Sequence, residues 1–98
     1  MTEAESRKAT PIYSGVLKYF PLALKEVAKV SKVGNDQHNK GQELHWSREK
    51  SSDHLDACVR HLIDHASGEV LDEDGQRHLA KSCWRLLAQL QLDLENEK

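Results

Sequence analysis

Apolar residues recur at three- and four-residue spacing through most of this chain, and that periodicity constrains the fold more than any other feature. Wound at about 3.6 residues per turn, Leu79, Cys83, Leu86, Leu87, Leu90 and Leu94 fall on one face. Leu55, Cys58, Val59, Leu62, Ile63 and Ala66 form a second such stripe. A third segment, PLALKEVAKVSKV over residues 21–33, puts Leu22, Val30 and Val33 on one side with Ala23 and Val27 beside them, and Lys25, Lys29 and Lys32 opposite. No segment alternates with a period of two for long enough to make a strand. The chain is expected to be all-α, a small bundle of three main helices.

Local signals set the expected boundaries. Pro21 suits the first turn of the first main helix, and Gly34-Asn35 reads as its stop. The second helix starts near Ser47–Ser52 and runs to Ala66-Ser67-Gly68. The third follows the acidic run Asp72-Glu73-Asp74, charges that favour a helix N-terminus. Residues 1–10 are polar and read as a flexible N-terminus, leaving 11–98 as a single domain. PIYSGVLKYFP over 11–21 holds both tyrosines and the only phenylalanine, and reads as an aromatic lead-in packed on that domain. Residues 34–47 have no period and form a long loop, a kind often functional.

At 98 residues, 38% of them hydrophobic, the chain has material for a modest core, so the bundle is expected to be completed by oligomerisation. A net charge of −2 with both signs dispersed excludes the concentrated basic patch of a nucleic-acid binder. No apolar run approaches a membrane span, and MTEAESRKAT lacks the apolar core of a signal peptide, so a cytoplasmic location is expected. Cys58 and Cys83 occupy apolar helical positions and read as buried free thiols.

One residue breaks the pattern. Glu26 lies between Leu22 and Val30 at i, i+4 spacing, on the face that should be buried. A buried carboxylate needs a cation or a metal: it either forms an ion pair, with Arg60 as a partner, or serves a site. Asp53 and Asp56 are i, i+3 on the second helix and can reach one ion. With Asp72, Glu73 and Asp74 they are candidate oxygen ligands to Mg²⁺, although capping explains the acids at helix starts equally well. Arg48, Lys50 and Arg60 suit phosphate oxygens, with an exposed Asp56–Arg60 pair as the plain alternative. His61 and His65, at i, i+4, make half of a zinc site without the glutamate of HExxH, and His78 is placed to donate to a carboxylate or phosphate. No GxGxxG, GxxxxGK[ST] or CxxC is present, and no serine sits in a nucleophile elbow.

The order YFPLALKEVAKVSKVGNDQHNKG, LHWSREKSSDHLDACVRHL, DEDGQRHLAKSCWRLLAQL resembles the phage-associated dATP/dGTP diphosphohydrolase family, over roughly Pro11 to Leu92. That family is similar to the all-α, MazG-like nucleoside triphosphate pyrophosphatases. The resemblance implies hydrolysis of a purine deoxynucleoside triphosphate to monophosphate and pyrophosphate, with dGMP as a precursor in phages that replace adenine with 2-aminoadenine. It implies two or more Mg²⁺ or Mn²⁺ ions held by helix-borne carboxylates, and a homo-oligomer, dimer or tetramer.

MazG-like enzymes carry ExxE and ExxD. Here Lys29 stands three after Glu26, Glu69-x-x-Asp72 lies in a turn, and Asp53-x-x-Asp56 is a further match. The expected metal set is Glu26, Asp53, Asp56 and Asp72, with Glu26 and Asp56 catalytic and Glu73 or Asp74 as substitutes. Arg48, Lys50, Arg60 and His61 would hold phosphates. The base would stack on an aromatic from Tyr13, Tyr19, Phe20 and Trp46, with Tyr19 and Trp46 foremost and core filling the plain role for Phe20. Two rivals stand beside this reading: a non-enzymatic helical dimerisation or interaction module, and a zinc hydrolase built on His61 and His65.

Overall fold

Thr2 opens the chain with a reciprocal cap: its hydroxyl accepts from the Glu5 amide at 3.1 Å while the Glu5 carboxylate accepts from the Thr2 amide at 3.0 Å. In the computed structural model, which describes residues 1–97, this cap starts a short helix α1 (Glu3–Lys8) inside the segment expected to be flexible. A single π-helical turn, Tyr13–Leu17, leads to α2 (Pro21–His38), followed by α3 (His54–Ala66) and α4 (His78–Asn96). Among the described residues the only β pairing is one isolated antiparallel bridge, Leu71 to Arg77. The fold is all-α, as the periodicity requires.

Helix α4 is the centre of the arrangement: it packs along α3 and more lightly against α2. The buried residues of α3 and α4 include the small Ala57, Cys58, Ala80, Ser82 and Ala88. Small side chains let the two backbones approach, and the Ser82 hydroxyl donates to the Cys58 carbonyl at 2.9 Å across the seam. Trp84 reaches from α4 to α2, its indole N–H donating to Ser31 Oγ at 2.8 Å.

Four expectations need correction. Gly34-Asn35 does not stop α2, which continues to His38. Glycine in a helix interior costs only about 1 kcal/mol relative to alanine, and the Asn35 carboxamide contacts described below offset it. Asp72–Asp74 do not sit at the start of α4; they lie in the loop closed by the Leu71–Arg77 bridge, and Arg77 precedes the helix without a side-chain cap. The lead-in is not packed away: Tyr13, Tyr19 and Phe20 are 53–70% exposed. Of the two free thiols, Cys58 is buried but Cys83 is exposed.

The exposure of Cys83 belongs to a larger pattern. Leu55, Val59, Leu62 and Ile63 of α3, and Leu79, Leu86, Leu90 and Leu94 of α4, are each 42–58% exposed. These are the residues of the apolar stripes, so much of what the sequence marks as core faces outward in the isolated chain. The radius of gyration is 15.6 Å, against about 12.6 Å for a compact domain of this length.

Candidate functional site

The buried residues near the middle of the molecule are polar, and they build a cleft. Asn35 and Asn39, one turn apart at the end of α2, anchor the loop that follows. The Asn35 amide donates to the Gln42 carbonyl at 3.1 Å, and its oxygen accepts from Asn39 Nδ2 at 3.2 Å and from the His45 amide at 3.4 Å. The Asn39 oxygen accepts from Lys50 Nζ at 3.1 Å and Ser47 Oγ at 3.4 Å. Two side chains thus organise residues 39–50 into the wall of a cavity of about 1000 Å³ between α2, this loop, α3 and α4.

That wall carries aromatic and cationic groups. Trp46 and Trp84 meet edge to face with centroids 5.7 Å apart, and His54 lies 6.3 and 6.2 Å from them. The Arg48 guanidinium stands 4.4 Å from the Trp46 centroid and is held by Glu95. Arg85 donates to Ser51 Oγ at 2.7 Å, lies 3.1 Å from His54 Nδ1, and pairs with Asp53 at 3.7 Å. A guanidinium only donates, so His54 Nδ1 is the acceptor and its proton sits on Nε2. His54 is 1% exposed and Nε2 has no partner among the described residues. Burial, with Arg85 adding, holds the imidazole below its ordinary pKa, hence neutral.

A second cluster lies where the 69–77 loop folds back. The loop is closed by the Asp72 amide donating to the Gln76 carbonyl at 2.8 Å, and Gly75 takes the left-handed conformation (φ 81°) that the turn requires. This brings both Asp72 and Asp74 to Lys81, at 2.7 and 2.9 Å. The Lys81 hydrogen bond holds the Asp72 carboxyl below its ordinary value. Beside them, His61 and His78 approach Nδ1 to Nδ1 at 2.8 Å. Burial pushes His61 below the usual histidine pKa, and His78 pushes the same way. Among the described residues, two groups of three side chains are close enough to share an ion: His61, Asp72 and His78, and Asp64, Glu69 and His78.

Of the residues singled out from sequence, Trp46, Arg48, Lys50 and His61 line the main cavity, and so does Asp74. Asp72 lines an adjoining recess with Gln37, Glu73, Asp74 and Lys81. Glu26, Asp53, Asp56, Arg60 and Tyr19 line neither. Glu26 pairs with Lys29 at 3.0 Å and Arg77 at 3.4 Å, not with Arg60, and the Lys29 contact lowers its pKa. Asp53 pairs with Arg60 at 3.1 Å, and Ser51, then Arg60, lower its pKa to about 2. Glu26, Asp53, Asp56 and Asp72 therefore do not form one cage in a single chain. His61 turns to His78, seventeen residues on, rather than to His65. Arg85, Trp84, His54, Lys81 and the Asn35–Asn39 pair were not foreseen. Lys81 and Arg85, one turn apart, lie on the face of α4 opposite its apolar stripe, and nothing in the sequence set them apart from ordinary surface charges.

The family described as dATP/dGTP diphosphohydrolase, N-terminal, matches residues 2–98. The chain belongs to that family. No curated protein and no solved structure matches it significantly. No helix among the described residues is long and apolar enough to cross a membrane.

Proposed function

We propose that the chain hydrolyses a purine deoxynucleoside triphosphate, dGTP or dATP, between the α- and β-phosphates, releasing the nucleoside monophosphate and pyrophosphate in the cytoplasm. The observation that carries this reading, beside the family membership, is the single cleft in which an indole pair stands next to Arg48, Lys50, Lys81 and Arg85. Indoles stack bases whatever their sequence; guanidinium and ammonium groups pair with phosphate oxygens.

In this reading Trp46 offers its ring to the purine, with Arg48 swinging from it to the phosphates. Lys50 and Arg85, both fixed by hydrogen bonds to side chains of the wall, hold the triphosphate. Water adds to the α-phosphorus as the α–β bridging oxygen departs with pyrophosphate. Asp74, the one carboxylate lining the cleft among the described residues, accepts the water's proton. A divalent ion, Mg²⁺ or Mn²⁺, when bound, supplies charge neutralisation to the phosphates. The Asp72–Asp74 recess beside the cleft has the carboxylates to hold one once Lys81 is displaced.

The active form in this reading is a homo-oligomer. The chain exposes 7689 Å², where a compact monomer of 11.1 kDa exposes about 5,700 Å². The excess, about 2,000 Å², is of the order that each subunit of an obligate dimer buries. A second copy laid on the apolar face of α3 and α4 would cover it. Glu26, Asp53 and Asp56 reach a reaction centre only in such an assembly.

The test is release of pyrophosphate from each deoxy- and ribonucleoside triphosphate, with Mg²⁺, Mn²⁺ or neither. Metal-dependent release from dGTP or dATP is expected. Folded protein that releases nothing from any nucleotide with either metal contradicts the reading and leaves the interaction module.

A further inference from the structure

The His61–His78 pair has no part in the nucleotide chemistry above, and its geometry asks for an explanation. His78 is 2% exposed, yet it is an imidazole at the first position of α4 facing a second imidazole. Its Nδ1 lies 2.8 Å from Nδ1 of His61. Its other nitrogen, Nε2, faces the Asp64 carboxylate at 3.9 Å. An Asp72 carboxylate oxygen lies within 4.8 Å of both histidines' ligand atoms.

We propose that His61, Asp72 and His78 form a binding site for one divalent transition-metal ion, with Asp64 as the outer carboxylate that orients His78. Three features of the geometry agree. Two imidazole nitrogens bound to one ion at about 2.0–2.1 Å, at angles between square and tetrahedral, stand roughly 2.8–3.4 Å apart, so the pair has to open by about 0.6 Å at most. Ligation through Nδ1 requires the proton on Nε2, and a carboxylate on the Nε2 side stabilises that tautomer; metal-bound histidines usually have such a partner. The three ligands come from α3, the 69–77 loop and α4, so binding would clamp the loop that carries Asp72 and Asp74 against both helices.

The donor set also selects the ion. Two nitrogens and one carboxylate suit Mn²⁺, Co²⁺ or Zn²⁺, whereas Mg²⁺ requires oxygen ligands and keeps its waters. The site therefore differs in donor chemistry from the carboxylate-and-phosphate site of the Asp72–Asp74 recess, with which it shares Asp72. It rests on the hydrolase reading only for its role, not for its existence. Lys81, on Asp72 at 2.7 Å, is the local competitor; it retains Asp74 when Asp72 turns to the ion.

The experiment is titration of the chain with Co²⁺, followed by visible absorption and calorimetry, then competition with Mn²⁺, Zn²⁺ and Mg²⁺. One equivalent per chain with nitrogen-ligand d–d bands is expected, displaced by Zn²⁺ and Mn²⁺ but not by Mg²⁺ at comparable concentration. His61→Ala should abolish the spectrum, and Asp64→Asn should weaken binding about 10- to 100-fold. Because His78 is buried, His78→Ala is read only if its circular dichroism matches the parent; the half-buried His61 and Asp64 variants keep the proposal testable if it does not. Absence of Co²⁺ binding, or binding unchanged in His61→Ala, overturns the site and leaves a hydrogen-bonded histidine pair. Failure of nucleotide hydrolysis with intact Co²⁺ binding removes the hydrolase reading and not the site. Metal-dependent hydrolysis with Co²⁺ binding insensitive to His61→Ala does the reverse.

Discussion

Asn39 shows how a single side chain does the work that a larger core would do elsewhere. Its carboxamide joins Asn35, Ser47 and Lys50, so Asn39→Ala leaves several polar groups short of partners at once. The expected loss is about 2–3 kcal/mol, read as a lower midpoint in urea, together with a weaker response to nucleotide because the cleft wall loosens. Trp46 belongs to binding rather than stability. Removing its ring should raise KM for the preferred nucleotide by about tenfold, in line with roughly 1–3 kcal/mol per stacked base, with kcat within about a factor of two; steady-state kinetics of Trp46→Ala check this. His54 sets a pH dependence. Its folded-state pKa lies below the ordinary 6.5, so as pH falls below that value the unfolded chain takes up a proton that the folded chain refuses. Stability therefore falls from neutral toward acid and is flat above. His61 acts in the same direction. Asp53 acts in the same direction at lower pH: its contribution is present above its ordinary 3.8 and is lost as pH falls through about 2. Urea midpoints between pH 7.5 and 5 should fall with pH, and His54→Gln should flatten that slope.

At the scale of the element, the 69–77 loop is the piece most dependent on one backbone angle. Gly75 at φ 81° lets the loop close, and no atom lies within 4 Å of where its Cβ would be. Alanine there meets conformational strain and not a clash, costing about 1–2 kcal/mol, with Asp72 and Asp74 drifting from Lys81; thermal unfolding of Gly75→Ala measures it. The same loop shows what can be read from sequence. The stripes of α3 and α4 were legible because apolar residues repeat with the helix turn, and the end of α3 follows at Ala66; its start does not, since the expected Ser47–Ser52 region holds a separate 3-10 turn over Arg48–Lys50 and α3 begins at His54. The end of α2 was not, because the local tendency of Gly34-Asn35 to break a helix is overruled by Asn35's contacts with Gln42 and His45, seven and ten residues away. Asp72–Asp74 looked like a helix start because acids favour one, but Lys81 holds them in the preceding loop. His61 was legible as a candidate and its partner was not, since only the folding of α4 against α3 brings His78 to it.

At the scale of the whole molecule, the isolated chain is polar where it is most buried and apolar across an open face. Helical periodicity reports which side of a helix is apolar, not whether the cover comes from the same chain. Leu86→Glu with Leu90→Glu places two charges on that face, and light scattering should then give a mass near the 11.1 kDa of one chain, where the parent gives a multiple of it. A parent that is monomeric at micromolar concentration contradicts the assembly. The catalytic claim is tested most directly by following dGTP in oxygen-18 water with the chain and Mn²⁺, and separating the products by mass. The account predicts dGMP and pyrophosphate with the label in dGMP, since water attacks the α-phosphorus. Formation of dGDP and phosphate, label in pyrophosphate, or no turnover by folded protein would contradict it.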